Sequence, residues 1–64
     1  MALHEPRHQL LDSIEGAARR LGVGRSSIYK LIESKQIEVV KLGRSTRIPV
    51  DSIEALVQRL RGAA

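Results

Sequence analysis

Residues 25–30 carry side chains that suit the binding of a polyanion. Their polar members are Arg25, Ser26, Ser27, Tyr29 and Lys30. If the segment is helical, with about 100° between successive residues, Ser26 and Lys30 lie opposite the apolar Ile28. Guanidinium, ammonium and hydroxyl groups donate hydrogen bonds to phosphate oxygens and to the acceptor edges of bases. We therefore predict a helix that packs through Ile28 and contacts the groove of a duplex through its polar face.

A second cluster of cations and hydroxyls lies at residues 41–47. Its members are Lys41, Arg44, Ser45, Thr46 and Arg47. Gly43 and the β-branched residues on either side favour a hairpin with a short connection here. Charges on such a hairpin can bind phosphates, or they can merely keep its edges from pairing with other strands. Both interpretations stay open on this segment alone.

The composition indicates one small domain with an anionic partner. Its 64 residues include 11 Lys and Arg against 7 Asp and Glu, which gives a formal net charge of +4. A chain of this length is near the lower limit for an independent core. We expect a flexible tail over residues 1–9 and one domain over residues 10–62. The sequence has no signal-peptide pattern and no membrane-spanning apolar run, so we expect a cytoplasmic protein without a membrane partner.

The residue types favour neither an enzyme nor a metal or cofactor site. The sequence has no cysteine, so it offers no thiolate metal site. Because His4 and His8 lie in the expected tail, Ser26 and Ser27 have no plausible base nearby. Tyr29 could suggest a recombinase nucleophile. That chemistry needs several Arg and His side chains around a scissile phosphate on a much larger scaffold. We therefore expect no catalytic residue, no metal and no cofactor.

A short amphipathic helix should precede residues 25–30. Asp12 or Ser13 should begin it, and Asp12 with Glu15 fits a capping box. Its inward stripe, at the spacing of one helical face, is Ile14, Ala17, Ala18 and Leu21. Gly22 should end this helix in the left-handed conformation. Two short helices joined by a glycine-bearing turn make a candidate helix-turn-helix.

The last turn of the first helix carries Arg19 and Arg20. Cations at this end complement the helix dipole. The same two residues could instead contact a phosphate backbone, and the sequence does not decide between these roles.

The rest of the chain favours a wing and a closing helix. The hairpin strands should cover residues 37–42 and 46–49. The side chains expected to face inward are Val40, Leu42, Thr46 and Ile48, and those expected to face outward are Val39, Lys41 and Arg47. A third helix should begin with a capping box of Asp51 and Glu54 and bury a stripe of Ile53, Leu56, Val57 and Leu60. The predicted fold is mainly α with a small β-hairpin: a winged helix-turn-helix with a two-stranded wing and a C-terminal helix.

Three segments in this order resemble the excisionase/AlpA-type winged-helix proteins, which are related to the MerR superfamily. They are Ser13-Ile-Glu-Gly-Ala-Ala18, Leu21-Gly-Val-Gly-Arg-Ser-Ser-Ile-Tyr-Lys-Leu-Ile32 and Val40-Lys-Leu-Gly-Arg-Ser-Thr-Arg-Ile-Pro49. The likeness covers about residues 10–60. The chain departs from the family pattern at Gly24, where the family usually has Ser, and at Thr46, where it often has an aromatic residue.

The resemblance implies a sequence-specific accessory protein for double-stranded DNA, from a phage, plasmid or integrative element. Such proteins act as excisionases, which bind and bend attachment-site DNA to assist an integrase in excision, or as small transcriptional regulators. By position, the major-groove helix would contribute Arg25, Ser26, Ser27, Tyr29 and Lys30. The wing would contribute Lys41, Arg44, Ser45, Thr46 and Arg47. Besides DNA, the candidate partners are an integrase and further copies of the chain assembled side by side on DNA.

Two other kinds of binding function compete with this one. The helical stripes could serve a protein partner, but the exposed faces carry Arg and Lys rather than the aromatic anchors of interfaces. The sequence favours RNA binding less than DNA binding, because Tyr29 is the only aromatic residue and one aromatic residue offers no platform on which bases could stack. Excisionases and regulators need the same groove-reading surface, so these residues do not separate the two.

Overall fold

The fold is the mainly helical arrangement that the sequence predicts, with one additional strand. The computed structural model describes residues 9–62. Its elements in chain order are β1 (Leu11–Asp12), α1 (Ile14–Leu21), α2 (Arg25–Glu33), β2 (Val40–Leu42), β3 (Ser45–Pro49) and α3 (Val50–Gly62). The helix-turn-helix, the hairpin of β2 and β3, and the closing helix are confirmed. The tail expected over residues 1–9 lies outside the described residues, except for Gln9.

Ser13 is the N-cap of α1, and the predicted capping box of Asp12 and Glu15 is wrong. The Ser13 hydroxyl accepts a hydrogen bond from the Gly16 amide at 3.0 Å, which satisfies one of the free amides of the first turn. Asp12 lies one residue before this position. Its carboxylate instead accepts hydrogen bonds from the Ser13 amide and from Arg20.

A glycine-bearing turn connects α1 to α2. Gly22 lies at φ 70° and ψ 33°, in the left-handed region that glycine adopts without a steric penalty. The next amide, that of Val23, donates to the Ala18 carbonyl oxygen at 3.0 Å and closes the end of α1. The second helix then begins at Arg25, with Gly24 as its N-cap. Both the left-handed glycine and the start of α2 agree with the prediction.

The connection from α2 to β2 is a tight turn. Lys35 adopts φ 65°, a left-handed conformation that disfavours residues with a Cβ atom. The amides of Lys35 and Gln36 donate to carbonyl oxygens in the last turn of α2. This reversal directs Ile37 into the core, so β2 begins at Val40 and the strand predicted from residue 37 is too long.

The two-residue turn of the hairpin reverses the predicted facing of β2. Leu42 pairs with Ser45, so the turn holds only Gly43 and Arg44, whereas the prediction assumed a three-residue connection. Opposed residues point to the same face, and successive residues alternate. One face therefore carries Val40, Leu42, Ser45 and Arg47, and the other carries Lys41, Thr46 and Ile48. Because Ile48 is fully buried and Leu42 is 55% exposed, the inward facing predicted for Leu42 is wrong, whereas Val40, on the same face as Leu42, is half-buried.

The short strand β1 is not predicted by the sequence. Its two residues pair with Pro49 and Ile48, so β3 is the central strand of a three-stranded antiparallel sheet. The pairing continues where the Val50 amide donates to the Leu10 carbonyl oxygen at 2.8 Å. A two-residue strand is too short for alternation between polar and apolar residues to reveal it. Its effect is to cover the second edge of β3.

α3 begins at Val50, so Asp51 already lies within its first turn and is not the N-cap of the predicted capping box with Glu54. Of the predicted apolar stripe, the structure buries Ile53 and Leu56. Leu60 is 61% exposed, and its predicted place in the core is wrong. The first two turns of α3 therefore cover the core, and the later turns extend beyond it.

The core is one aliphatic cluster to which all three helices and β3 contribute. Its buried members are Ile14, Ala17, Ala18, Ile28, Ile37, Ile48, Ile53 and Leu56. Packed against it from the margin are Leu21, Leu31 and Ile32. No polar or charged residue within residues 9–62 is buried. In that same range, no helix has the length and apolar character needed to cross a membrane.

Candidate nucleic-acid interface

α2 lies with Ile28 in the core and with most of its polar side chains at the surface. Ile28 is fully buried, whereas Tyr29 is 52% exposed. The exposed polar residues of its first two turns are Arg25, Ser26, Tyr29 and Lys30, and Ser27 is half-buried. This is the orientation that the helical period predicts. That these side chains bind a partner stays a prediction.

Arg25, the first residue of α2, lies beside Glu15 of α1. The Arg25 Nη1 and Glu15 Oε2 atoms are 3.7 Å apart, and the side chains are 61% and 62% exposed. The N-cap residue, Gly24, makes no side-chain hydrogen bond to the helix, and the first turn of α2 contains no acidic residue. Glu15 therefore supplies a negative charge that α2 itself lacks at this end.

Of the two arginines at the end of α1, Arg20 is held by the fold. Its Nε donates to Asp12 Oδ2 at 2.7 Å, and its Nη2 donates to Gln9 Oε1 at 3.2 Å. Burial raises the pKa of Asp12, but hydrogen bonds from Arg20 and the Ser13 amide, together with the charges of Arg20 and Arg19, lower that pKa by more. The net result is a pKa below the ordinary value. Asp12 is thus ionised at neutral pH and ties β1 to α1.

This contact bears on the two roles considered for the arginine pair. The Arg20 guanidinium has a carboxylate partner in Asp12, which is neither of those two roles, and its contact with phosphate stays a prediction. Arg19 is exposed, and a phosphate contact remains a prediction for it.

The basic residues of the hairpin lie at its tip and on both of its faces. Arg44 is exposed in the turn, next to Gly43 at φ 60°. On one face, Lys41 Nζ donates to Thr46 Oγ1 at 3.3 Å. On the other face, Arg47 Nη1 donates to the Thr46 carbonyl oxygen at 3.0 Å. The half-buried members of this segment are Ser45, Thr46 and Arg47.

The prediction that Lys41 and Arg47 share an outward face is therefore wrong. Lys41 is opposed to Thr46, and Arg47 is opposed to Val40, so the two cations project from opposite faces. The cause is again the turn length, which shifts β2 by one position relative to β3.

The two basic segments offer hydrogen-bond donors and positive charge on one small body. Ile28 of α2 and Ile48 of β3 belong to the same core cluster, so the helix and the hairpin are fixed to a common framework. The two basic segments together therefore suit contact with a polyanion.

Across the described part of the chain, no group of three or more His, Cys, Asp and Glu residues could hold a metal ion.

Two acidic residues contact cations of α1 and α2, and the sequence predicts neither contact. Asp12 bonds to Arg20 and Glu15 lies near Arg25, although the sequence suggests only capping roles for the two acids. Neither pair has the three- or four-residue spacing of helical neighbours. No local signal could have found them, because the contacts depend on how β1 and α2 pack against α1.

Comparison with known proteins gives a consistent set of relatives. A family model described as a helix-turn-helix domain matches residues 13–61. A protein of Saccharopolyspora erythraea named a probable excisionase is 42% identical over 53 residues, which are 83% of this chain and 54% of that protein. An excisionase of Streptomyces ambofaciens is 36% identical over 45 residues, which are 70% of this chain and 73% of that protein.

The extent of these matches differs between the relatives. The chain spans about half the length of the Saccharopolyspora protein and nearly three quarters of the Streptomyces protein. No solved structure matches the chain at a significant level.

Proposed function

Because the chain belongs to the helix-turn-helix domain family and is similar to excisionases, we propose that it binds double-stranded DNA and acts as an excisionase. The observation that carries the proposal is the burial of Ile28 beneath the exposed polar face of α2. A helix anchored by its back in this way can enter a major groove, which is wide enough for one α-helix. The binding unit we propose is the domain of residues 10–62, and we assign it no catalytic residue.

In the proposed complex, α2 reads bases in the major groove. Arg25 and Lys30 are the long cationic side chains on its exposed face, and such side chains donate to O6 and N7 of guanine. The shorter hydroxyls and the phenol reach phosphates or nearby base edges, and their residues are Ser26, Ser27 and Tyr29. Sequence preference would then come from α2, and much of the affinity from charge.

The hairpin would enter the neighbouring minor groove with its tip first. Arg44 lies in the turn, and Lys41 and Arg47 project from opposite faces. A minor groove has a phosphate backbone on each wall, and narrow minor grooves attract arginine. Cations on both faces of an inserted hairpin therefore suit the two walls better than cations on one face would.

Several copies side by side would give the affinity that one small module lacks. A single module buries limited surface on DNA, and linked binding events raise overall affinity. We propose that such an array bends attachment-site DNA and assists an integrase in excising it, since bending brings distant contacts together. Direct contact with the integrase is part of this proposal.

A gel-shift titration tests the proposal. The probes are fragments that tile the attachment sites and the neighbouring promoters of the element that encodes the chain. The test variant, Arg25→Ala/Lys30→Ala, removes two cations from α2. The matched control, Lys35→Ala/Arg61→Ala, removes two exposed cations outside the proposed surface.

The expected result is a ladder of complexes confined to attachment-site fragments, lost in the test variant and retained in the control. Occupancy of a promoter alone would contradict the excisionase role and indicate a transcriptional regulator. Equal losses in both variants, or no complex with any fragment, would contradict binding through α2.

A further inference from the structure

Glu15 of α1 lies beside the start of α2, the helix proposed to bind DNA. Its Oε2 atom is 3.7 Å from Nη1 of Arg25, the first residue of that helix. Two acids flank the cationic part of α2: Glu15 lies beside Arg25 at its start, and the exposed Glu33 is its last residue. Of the two, Glu15 is the one within ion-pair distance of Arg25, and an unfavourable charge at that place calls for a reason.

Stability supplies only part of that reason, because an exposed carboxylate in the first turn of a helix such as α1 contributes only a small amount through the helix dipole. Both side chains are more than half exposed, and exposed ion pairs at such a distance contribute little to folding because water and salt screen them. The first turn of α1 is already capped by Ser13. Removing the Glu15 charge should therefore change binding to a polyanion more than it changes the fold.

We propose that Glu15 determines the specificity of DNA binding by restraining Arg25 and by opposing phosphates near it. This inference rests on the proposed function. While paired with Glu15, the guanidinium keeps further N–H groups that can donate to a guanine edge. A phosphate at the same place would have to displace the pair and approach the carboxylate. Sequences that lack the right base opposite Arg25 offer its guanidinium only phosphates at that place, and they are thus disfavoured relative to a site with that base.

The test compares two duplexes and four variants by fluorescence anisotropy over a range of salt concentrations. One duplex is of random sequence, and the other is selected from a random library for tight binding to the unaltered chain. Glu15→Gln removes the charge and keeps the side-chain size. Glu54→Gln, an exposed carboxylate on α3, is the matched control. Arg25→Gln and the double variant Glu15→Gln/Arg25→Gln complete a cycle.

Glu15→Gln is expected to strengthen binding to the random duplex by about threefold to tenfold, the scale of one nearby like charge removed. The salt slope on that duplex should steepen by about one as Arg25 becomes free to contact phosphate. Binding to the selected duplex should gain less, so the ratio of the two affinities falls. With Arg25→Gln already present, the gain on the random duplex should shrink, because Glu15 acts through Arg25.

Three results would overturn the inference. Equal gains for Glu15→Gln and Glu54→Gln would reduce Glu15 to a general charge. An unchanged gain in the presence of Arg25→Gln would exclude action through Arg25. If the unaltered chain binds no duplex at all, the proposed function fails and this inference fails with it, whereas the first two results leave the proposed function standing.

Discussion

The Asp12 carboxylate occupies the space that a side chain on Gly16 would need. The carboxylate cannot move away freely, because it accepts hydrogen bonds from the Ser13 amide and from Arg20. Glycine in the interior of a helix usually lowers the stability of the fold relative to alanine. At this position it makes room for the contact that ties β1 to α1.

Gly16→Ala should therefore lower the free energy of unfolding, by about 1–2 kcal/mol, although alanine is the better helix former. Combined with Asp12→Ala, the same change should be neutral or should stabilise by up to about 1 kcal/mol. Urea unfolding of the four chains measures both effects. An equal loss with and without Asp12 would show that the obstruction lies elsewhere.

The free energy of unfolding should depend on pH through the carboxyl group of Asp12. Its pKa is lowered in the folded chain, so the ionised form contributes stability that is fully present above the unfolded pKa of about 3.9 and is lost as the pH falls through the folded pKa. Asp12→Asn should thus be less stable than the unaltered chain at neutral pH, with a difference that shrinks below about pH 4. Urea titrations across this range measure it.

The control for this experiment is Glu54→Gln on α3, which should stay within about 0.5 kcal/mol of the unaltered chain at neutral pH. A stability difference for Asp12→Asn that persists unchanged into acid would contradict the role of the Asp12 charge.

Lys35 holds a left-handed backbone conformation at the end of α2. Lys35→Gly should raise the free energy of unfolding by about 0.5–1 kcal/mol, because glycine adopts this conformation without a Cβ clash. Its neighbour Gln36 does not have a positive φ, so Gln36→Gly should be destabilising. Thermal or urea unfolding separates the two, and a destabilised Lys35→Gly would refute the strain assigned to this turn.

The fold was predictable where a local rule determines the backbone. The start of α1 at Asp12 or Ser13, the left-handed Gly22 and the burial of Ile28 each follow from residue type and helical period, whereas the choice of Ser13 over Asp12 as the cap does not. The sequence did not predict which side chains of β2 face inward. A two-residue turn and a three-residue turn are both compatible with the same residues, and the choice between them depends on pairing with β3. The strand β1 is too short to leave a pattern.

The candidate site divides in the same way. The exposed face of α2 follows from its own period, since Ile28 fixes which side is inward. The opposite projection of Lys41 and Arg47 follows from register, and the approach of Glu15 to Arg25 follows from the packing of α1 on α2. The first depends on a turn length that the sequence leaves open, and the second depends on the packing of two separate elements.

Arg44 at the tip of the hairpin should act through charge. Arg44→Ala is expected to weaken binding to random and preferred duplexes alike and to reduce the salt slope by about one, as for a lost phosphate contact. Arg61→Ala, at an exposed position on α3, is the matched control and should leave the slope nearly unchanged. An unaltered slope in Arg44→Ala would remove the hairpin tip from the interface.

Arg25 gives the most direct test of base reading by α2. The measurement is the affinity of the unaltered chain and of Arg25→Ala for a preferred duplex and for its full set of single-base substitutions. If Arg25 reads a base, its loss should cost about 1–3 kcal/mol on the preferred duplex and should abolish discrimination at one base pair while leaving the others intact. A uniform loss over every duplex, or no loss at all, would contradict base recognition by Arg25 on the exposed face of α2.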